Sequence, residues 1–240
     1  MQKILDFIFS FFFGNENKEN IQEDSIPEKP SKKLTDEDIH QASALLKCEE
    51  ACIKAVLTVE TGNRGGFLLN KDVNPMLKNP DDYSDYPVIL FEGHIFYRQL
   101  KKKGIDPEKY MNTDTTDILY KSWTKAYYGS KWDEYIRLDK AIQIDNEAAL
   151  LSCSYGLGQI MGFNYKACGY NSVDEYVSDM SVSEGKQLLA FCKFIQSNTK
   201  LLRALQMKDW KTFAYNYNGP DYKKNNYDIK LEKAYTNANQ

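Results

Sequence analysis

Apolar residues recur three or four positions apart through most of the chain, which is the spacing of one face of an α-helix. Between residues 35 and 60 the repeat includes Ile39, Leu45 and Val56, and it predicts one long helix or two helices broken near Lys47. Further helices are predicted at 93–102, 115–128, 131–143, 145–153, 172–179, 183–206, 209–217 and 225–237. The pattern therefore predicts a mostly helical domain.

One short run has the composition of a β-strand. Pro87 opens the sequence Pro-Val-Ile-Leu-Phe-Glu-Gly, which is rich in β-branched and aromatic residues. We expect this run to form a small hairpin with a partner within residues 66–73. The predicted fold class is mostly α (α+β), a helical domain with one small β-hairpin.

Residues 1–34 differ in composition from the rest of the chain. Residues 1–13 contain nine large apolar residues, a run well short of the roughly 20 that a membrane-spanning helix needs. On a helix, Asp6 and Ser10 would form a narrow polar stripe beside a broad apolar face. This is typical of a leader that lies on a membrane, contacts secretion machinery or packs on its own domain. A secretory signal is the alternative, although Asp6 interrupts its apolar centre.

The stretch after this leader predicts a domain boundary. Residues 14–34 carry too few apolar side chains to offset the entropy of ordering, so they are predicted to be a disordered linker. Thr35 precedes three acidic residues and an apolar repeat, as a helix N-cap does. The folded domain is therefore predicted to span 35–240.

Charge and cysteine usage exclude several classes of function. The chain has 31 Lys and Arg against 34 Asp and Glu, so it has no general basic field for nucleic acid. Five cysteines with no CxxC pair, and only two histidines, argue for reduced thiols and against a structural zinc site. Cys48 and Cys52 lie on an apolar helical stripe and are predicted to pack in the core. A Cys–His nucleophile, the alternative, would need His40 or His94 nearby.

Glu60 is the first residue with candidate chemistry. It follows Val56 by four positions, which turns its carboxyl toward the apolar face of the helix. The glycines at 62, 65 and 66 predict that the helix ends there. Apolar surroundings and the negative end of the helix dipole both raise a carboxyl pKa, as a general acid requires. The alternative is a helix-terminal Glu that leans into solvent.

A glycine-rich stretch at 152–164 is the second candidate. Gly156, Gly158 and Gly162 allow a backbone to approach a ligand closely, and Gln159 offers both a donor and an acceptor to a sugar. The spacing does not fit a dinucleotide-binding loop. A tight crossing of two helices would explain the same glycines.

The third candidate is a Tyr-Asn stretch at 213–222. Tyr faces stack on sugar rings and Asn amides bind hydroxyl or acetamido groups, so this composition suits a glycan cleft. Turn chemistry alone would also explain the sequence Asn218-Gly219-Pro220.

In their order, these stretches resemble the lysozyme-like clan of goose-type lysozymes and soluble lytic transglycosylases. The closer resemblance is to the N-acetylmuramidase domain of phage endolysins and some secreted antibacterial effectors, over residues from about 48 to 237. The matching motifs are Val59-Glu60 with Gly66-Phe67, the run 87–92 with His94 and Phe96, Ser152–Gly156 with Gln159–Gly162, Asp209-Trp210, Phe213-Ala214 and Tyr217–Pro220. Each motif is weak alone, but the ordered set is specific.

This resemblance implies a lysozyme-like helical fold, with the hairpin beside the helix that carries Glu60. It implies hydrolysis of the β-1,4 bond between N-acetylmuramic acid and N-acetylglucosamine in peptidoglycan, with Glu60 as catalytic acid and no cofactor or metal. The implied substrate-binding residues are Ser154, Tyr155, Gln159, Tyr215, Asn216, Tyr217 and Asn218.

The chain departs from the family pattern in ways that leave the second carboxylate open. Tyr155 stands where the family usually has Trp, the connection at 68–86 is longer, and Asn70 stands where an acid is often found. Asp72 and Glu92 are the candidates for the second carboxylate, with Asp81, Asp82 and Asp85 as further acids. Glu92 could instead pair with Arg64 or Arg98. A lytic transglycosylase, which forms 1,6-anhydro products, needs only one acid.

The expected biology follows from this family. The expected partner is the peptidoglycan glycan strand, met in the periplasm or on the cell wall after synthesis in the cytoplasm, by a bacteriolytic endolysin or an antibacterial effector. A monomer is predicted, with an immunity protein as a candidate partner and with residues 1–13 as the candidate contact for a membrane or secretion machinery. A catalytically inactive peptidoglycan-binding protein is the alternative from another class.

Overall fold

The computed structural model describes residues 32–62, 64–68 and 86–240. The predictions for the leader, for most of the linker and for Asp72 therefore lie outside the described residues, as do those for the acids at 81, 82 and 85. Within the described part of the chain, no helix is long and apolar enough to cross a membrane.

The described residues form ten α-helices and a small sheet, which confirms the predicted fold class. The helices are α1 Asp36–Leu46, α2 Glu50–Thr61, α3 Gly93–Lys102, α4 Lys131–Ile142, α5 Asn146–Leu151, α6 Val173–Met180, α7 Glu184–Ser197, α8 Thr199–Gln206, α9 Trp210–Asn218 and α10 Tyr227–Ala238. The strands are β1 Ile89–Phe91, β2 Cys153–Tyr155 and β3 Ile160–Met161. Short 3₁₀ helices lie at Pro107–Tyr110, Thr113–Thr115, Gly162–Asn164 and Pro220–Asn225.

The first two helices confirm the predicted break near Lys47. Lys47 takes the left-handed conformation that ends α1, with φ 52°. At the other end, Thr35 and Asp38 form a reciprocal capping box, so the predicted N-cap is correct. Just before α1, the Lys32 carbonyl accepts a hydrogen bond from the Glu184 N–H, and the Leu34 N–H donates one to the Glu184 carboxylate at the start of α7.

The predicted strand is present, but its main partner is not the one expected. β1 pairs antiparallel with β2, with Leu90 opposite Ser154, and β2 pairs with β3. The expected pairing with 66–73 is reduced to an isolated bridge between Phe67 and Pro87. β2 was predicted as the end of a helix over 145–153, but α5 ends at Leu151. Three strand residues are too few to show a period of two.

Two helix predictions were wrong, for different reasons. The helix predicted over 115–128 is not formed, because residues 116–130 are turns and irregular backbone, and Ile118, Leu119 and Tyr120 are consecutively buried instead of lying on one helical face. The long helix predicted over 183–206 is two helices, because the Asn198 side chain accepts hydrogen bonds from the N–H groups of Lys200 and Leu201 and begins α8. Local capping interrupts an apolar repeat that continues across the break.

The core joins the sheet to the helices around it. Buried aromatic side chains fill it, including Phe91 from β1 and Phe96 from α3. Tyr135 of α4 donates a hydrogen bond to the Pro87 carbonyl at 2.5 Å, and Glu134 accepts one from the Phe91 N–H at 3.0 Å. Helix α4 therefore fixes the position of β1.

The cysteines are all free. Cys52 is buried and Cys48 is half-buried, in agreement with the predicted packing role. The alternative, a Cys–His pair, is not formed, because His40 contacts Glu50 at 3.1 Å and His94 contacts Glu92 at 3.3 Å.

Candidate active site

Glu60 lies in the last turn of α2, which ends at Gly62 with φ 55°. The residue is half-buried, and its Oε1 atom is fully buried. Burial raises the pKa of the carboxyl from 4.5 to about 7, and the amide of Asn218 acts in the opposite direction. A carboxyl of this kind holds its proton near neutral pH, unlike an exposed Glu.

Helices α9 and α10 supply the surroundings of Glu60. Burial raises the pKa values of the Tyr217 and Tyr227 hydroxyls, and the Glu60 carboxylate raises both further. Among the described residues, neither Glu60 Oε1 nor Asn218 Nδ2 has a hydrogen-bond partner of normal geometry, although both atoms are buried. The two groups are nonetheless neighbours, because the Asn218 amide acts on the Glu60 carboxyl as a hydrogen-bond donor. Such a pair is suited to contacts with a ligand.

Tyr217 connects this helix to the glycine-rich loop. Its ring stacks on Phe213 at 5.8 Å and meets Phe191 edge-on at 5.6 Å. Its hydroxyl donates a hydrogen bond to the Gly158 carbonyl at 2.7 Å. The side chain therefore holds the loop against α9, and its hydroxyl is already occupied by the protein.

Gln159 and Ser154 stabilise the turn between β2 and β3. The Gln159 Nε2 donates to the carbonyls of Gly156 at 2.8 Å and Val88 at 3.2 Å, and its Oε1 accepts from the Ser154 hydroxyl at 2.9 Å. Gln159 itself has a left-handed backbone, with φ 43°. Both ends of the amide are thus committed to the fold, which leaves little of the expected capacity to bind sugar.

Tyr155 corrects one expectation. Its side chain is 1% exposed, packs edge-on against Tyr176 at 5.6 Å, and donates a hydrogen bond to the Leu150 carbonyl at 3.0 Å. Side chains alternate between the two faces of a strand, and the side chain of Tyr155 lies on the face that packs against the core. A buried ring is not available as a sugar platform, so the expected role does not fit this structure.

Two residues that the sequence did not single out hold the loops of the site. Glu184 of α7 accepts a hydrogen bond from the Gly66 N–H at 2.7 Å. One turn later, Gln187 accepts from the Leu157 N–H at 2.9 Å and donates to the Met180 carbonyl at 2.8 Å. A Cβ at Gly156, where φ is 63°, would lie 2.5 Å from the Gln187 side chain. The sequence signal that could have indicated these contacts is the position of Glu184 and Gln187 on the buried face of the helix predicted over 183–206.

The N-acetylmuramidase family model matches residues 49–239, most of the chain. The chain belongs to this family. The crystal structure of the Burkholderia AP3 phage endolysin is similar, with 38% sequence identity and a TM-score of 0.73, over 87% of this chain and 71% of that chain. No curated protein sequence matches the chain. The family resemblance predicted from the motifs is therefore confirmed.

Glu92 directly follows β1 and lies in a second cluster of buried polar groups. Tyr128 donates a hydrogen bond to Glu92 Oε1 at 2.6 Å, and His94 Nδ1 lies 3.3 Å from Oε2. Burial raises the pKa of Glu92, while the Tyr128 hydrogen bond and the charge of Arg137 lower it. The predicted alternatives for Glu92, a pair with Arg64 or Arg98, are not formed.

The other predicted residues of the muramidase site lie on α9. Tyr215 is 54% exposed, three positions before Asn218 and therefore on a neighbouring part of the helix surface. Asn216 donates its amide to the Thr212 carbonyl at 2.7 Å, a contact within the helix. Within the described ranges, no group of three or more His, Cys, Asp or Glu side chains could hold a metal ion.

Proposed function

We propose that the chain is a peptidoglycan-degrading muramidase that hydrolyses the β-1,4 bond between N-acetylmuramic acid and N-acetylglucosamine, with Glu60 as general acid. The observation that carries this proposal is the burial of the Glu60 carboxyl, whose Oε1 is fully buried and whose pKa burial raises to about 7. A general acid works best when its pKa lies near the working pH. Membership of the N-acetylmuramidase family supports the same reaction class.

In this mechanism Glu60 donates its proton to the glycosidic oxygen as the bond breaks. The amide of Asn218 acts on the Glu60 carboxyl as a hydrogen-bond donor, and its second N–H would donate to a substrate oxygen, such as an acetamido carbonyl. The same amide stabilises the ionised Glu60 that remains after proton transfer, because its effect is to lower the pKa. Tyr215 would add an exposed aromatic face for a sugar ring.

We further propose Glu92 as the second carboxylate, with Asp72 as the alternative outside the described residues. A retaining enzyme needs this group about 5–5.5 Å from the acid as a nucleophile, and an inverting enzyme needs it at about 6.5–9.5 Å to activate water. Burial is the largest influence on Glu92 and raises its pKa, whereas the hydrogen bond from Tyr128 and the charge of Arg137 oppose it and favour the ionised form. Ionisation is the state that either role requires.

The test is digestion of purified, insoluble peptidoglycan by the wild-type protein and by Glu60→Gln. We expect the substitution to reduce release of soluble muropeptides by about 100-fold or more, with unchanged circular dichroism. The exposed residue Glu232 provides the matched control, Glu232→Gln, which should retain full activity. Lytic activity that survived in Glu60→Gln would refute the assignment of the acid.

Mass spectrometry of the products separates the alternatives. Hydrolysis gives reducing-end muropeptides, whereas fragments lighter by one water would assign the chain as a lytic transglycosylase. Binding to insoluble wall without release of sugar would identify an inactive binding protein. Glu92→Gln, tested in the same digestion, would show whether a second carboxylate is needed at all.

The proposed partner is the peptidoglycan glycan strand, and the proposed site of action is the cell wall, reached after synthesis in the cytoplasm. The similar solved structure is that of a phage endolysin, which supports a bacteriolytic role. An immunity protein, contact of residues 1–13 with a membrane or secretion machinery, and a monomeric state remain predictions.

A further inference from the structure

Trp123 is an exposed tryptophan next to the buried cluster around Glu92. Its side chain is 56% exposed, whereas Trp132 and Trp210, the other two tryptophans of the chain, are 8% and 7% exposed. Trp123 lies among the turns of residues 116–130, between α3 and α4. Burial of a tryptophan normally contributes strongly to stability, so an exposed one raises the question of what covers it.

The ring of Trp123 is held in place by polar contacts. The Lys125 ammonium lies 5.7 Å from the ring centroid and covers one face of the indole. The indole N–H interacts with the Tyr128 hydroxyl, which in turn donates its proton to Glu92 Oε1 at 2.6 Å. A chain of two hydrogen bonds therefore runs from an exposed aromatic ring to a buried carboxylate.

The floor of this region contains a buried polar pair. Glu92 Oε2 and His94 Nδ1 are both buried and lie 3.3 Å apart, although their contact does not have normal hydrogen-bond geometry. The His94 ring stacks on Tyr120 at 6.2 Å, and Tyr120 contacts Tyr127 at 5.2 Å. Aromatic rings thus surround this carboxylate–imidazole pair.

We propose that Trp123 and Tyr128 form a glycan subsite, in which one sugar ring stacks on the indole beside the hydrogen bond from Tyr128 to Glu92. The proposal rests on the proposed function, because it names a place where that substrate binds. A pyranose fits this surface since one face presents C–H groups to an aromatic ring, while its edge carries hydroxyls that both donate and accept. The Lys125 ammonium and the Tyr128 hydroxyl beside the indole suit a ligand rich in hydroxyl groups better than an apolar partner protein.

Tyr128 has a second role in this proposal, as the positioning residue of Glu92. Its hydroxyl accepts from the indole and donates to the carboxylate, so the three side chains share one geometry. A sugar that stacks on Trp123 would fix the indole and, through Tyr128, the orientation of the Glu92 carboxylate. Glycan binding at the subsite would therefore fix the orientation of Glu92, the proposed second carboxylate.

The location of the tryptophans provides a direct assay. Because Trp132 and Trp210 are buried, acrylamide quenching of tryptophan fluorescence mainly reports Trp123. We would titrate the full-length Glu60→Gln protein, which binds without cleaving, with a soluble β-1,4-linked N-acetylglucosamine hexamer. We expect the glycan to protect Trp123 from acrylamide. Trp123→Ala should weaken glycan binding on the order of tenfold, and Trp123→Phe should restore part of it.

Control variants separate the loss of ring stacking from a general loss of exposed apolar surface. Met207→Ala removes another exposed apolar side chain, one that is 65% exposed after α8, and should leave glycan binding unchanged. Tyr128→Phe keeps the ring but removes the hydroxyl that links Trp123 to Glu92. In the active protein it should raise the pKa of Glu92 and move the acidic limb of the pH–rate profile to higher pH, with a smaller effect on glycan affinity.

Each outcome decides between the proposals. Glycan binding that is unaffected by Trp123→Ala, with no protection from acrylamide, would overturn the subsite even if the wild-type protein digests peptidoglycan. A change of oligomer mass in Trp123→Ala without an effect on glycan binding would overturn it too, and would assign the indole to a contact between copies. Protection of Trp123 in a protein that releases no muropeptides would instead support the subsite and refute the muramidase activity.

Discussion

Replacing Glu60 with Gln should stabilise the protein at alkaline pH and change its stability much less near pH 5. Burial raises the pKa of Glu60 from 4.5 to about 7, and one pKa unit corresponds to about 1.4 kcal/mol. Keeping Glu60 ionised in the folded protein therefore costs about 3 kcal/mol relative to the unfolded chain. Gln carries no charge at any pH and has nearly the shape of the protonated carboxyl, so it avoids this cost.

The direction of the effect follows from proton binding. Because the folded pKa of Glu60 is the higher one, the folded state holds more protons than the unfolded state between about pH 4.5 and pH 7. The free energy of unfolding therefore falls as the pH rises through this window. Other groups titrate equally in the wild type and the variant. The difference between the two proteins should grow by about 2–3 kcal/mol from pH 5 to pH 8.

Urea denaturation followed by circular dichroism at pH 5, 6, 7 and 8 measures this difference. The denaturant slopes of the two proteins should agree, since they expose the same surface on unfolding. Glu232→Gln, at an exposed site, should follow the wild type at every pH. A constant difference between wild type and Glu60→Gln across the series would mean that water reaches the carboxyl, and the proposed acid would lose its physical basis.

Three further predictions concern the site and its support. Release of muropeptides should fall above about pH 7 as Glu60 loses its proton. Asn218→Ala should move this fall to higher pH, because the Asn218 amide lowers the pKa of Glu60. Rates of muropeptide release measured from pH 5 to pH 9 would check both predictions. Gly156→Ala should destabilise the protein more than Gly104→Ala in urea denaturation, because both have positive φ but only the Cβ at 156 meets another side chain. Arg137→Met should cost about 3–5 kcal/mol by the same assay, because it leaves a buried carboxylate without its 2.7 Å ion pair.

The sequence predicted those side-chain directions that depend only on the spacing of nearby residues. Glu60 follows Val56 by one helical turn, and α2 ends at Gly62, so the inward direction of the carboxyl is contained in a few adjacent residues. The same holds for Asn218, which lies at the end of an amphipathic helix. Helix faces repeat every 3.6 residues, and this repeat is visible without the fold.

The sequence could not predict how these stretches hold one another. Gln159 looked free to bind a sugar, but its amide is satisfied by the carbonyl of Val88, 71 positions earlier. Gly66 needed Glu184, 118 positions later, to fix the loop after α2. The packing of the whole chain determines these hydrogen-bond partners. A single sequence does not indicate which distant groups will come into contact.

What the sequence determined by itself was the helical character of the domain, the apolar surroundings of Glu60 and the ordered motifs of an N-acetylmuramidase. Only the tertiary structure decided that β1 pairs with β2, that Tyr155 is buried, and that Trp123 stays exposed beside Glu92. The physical reason is the range of the interactions. Backbone hydrogen bonds and side-chain periodicity in a helix are local, whereas strand pairing, burial and the satisfaction of polar groups depend on residues that are distant in sequence.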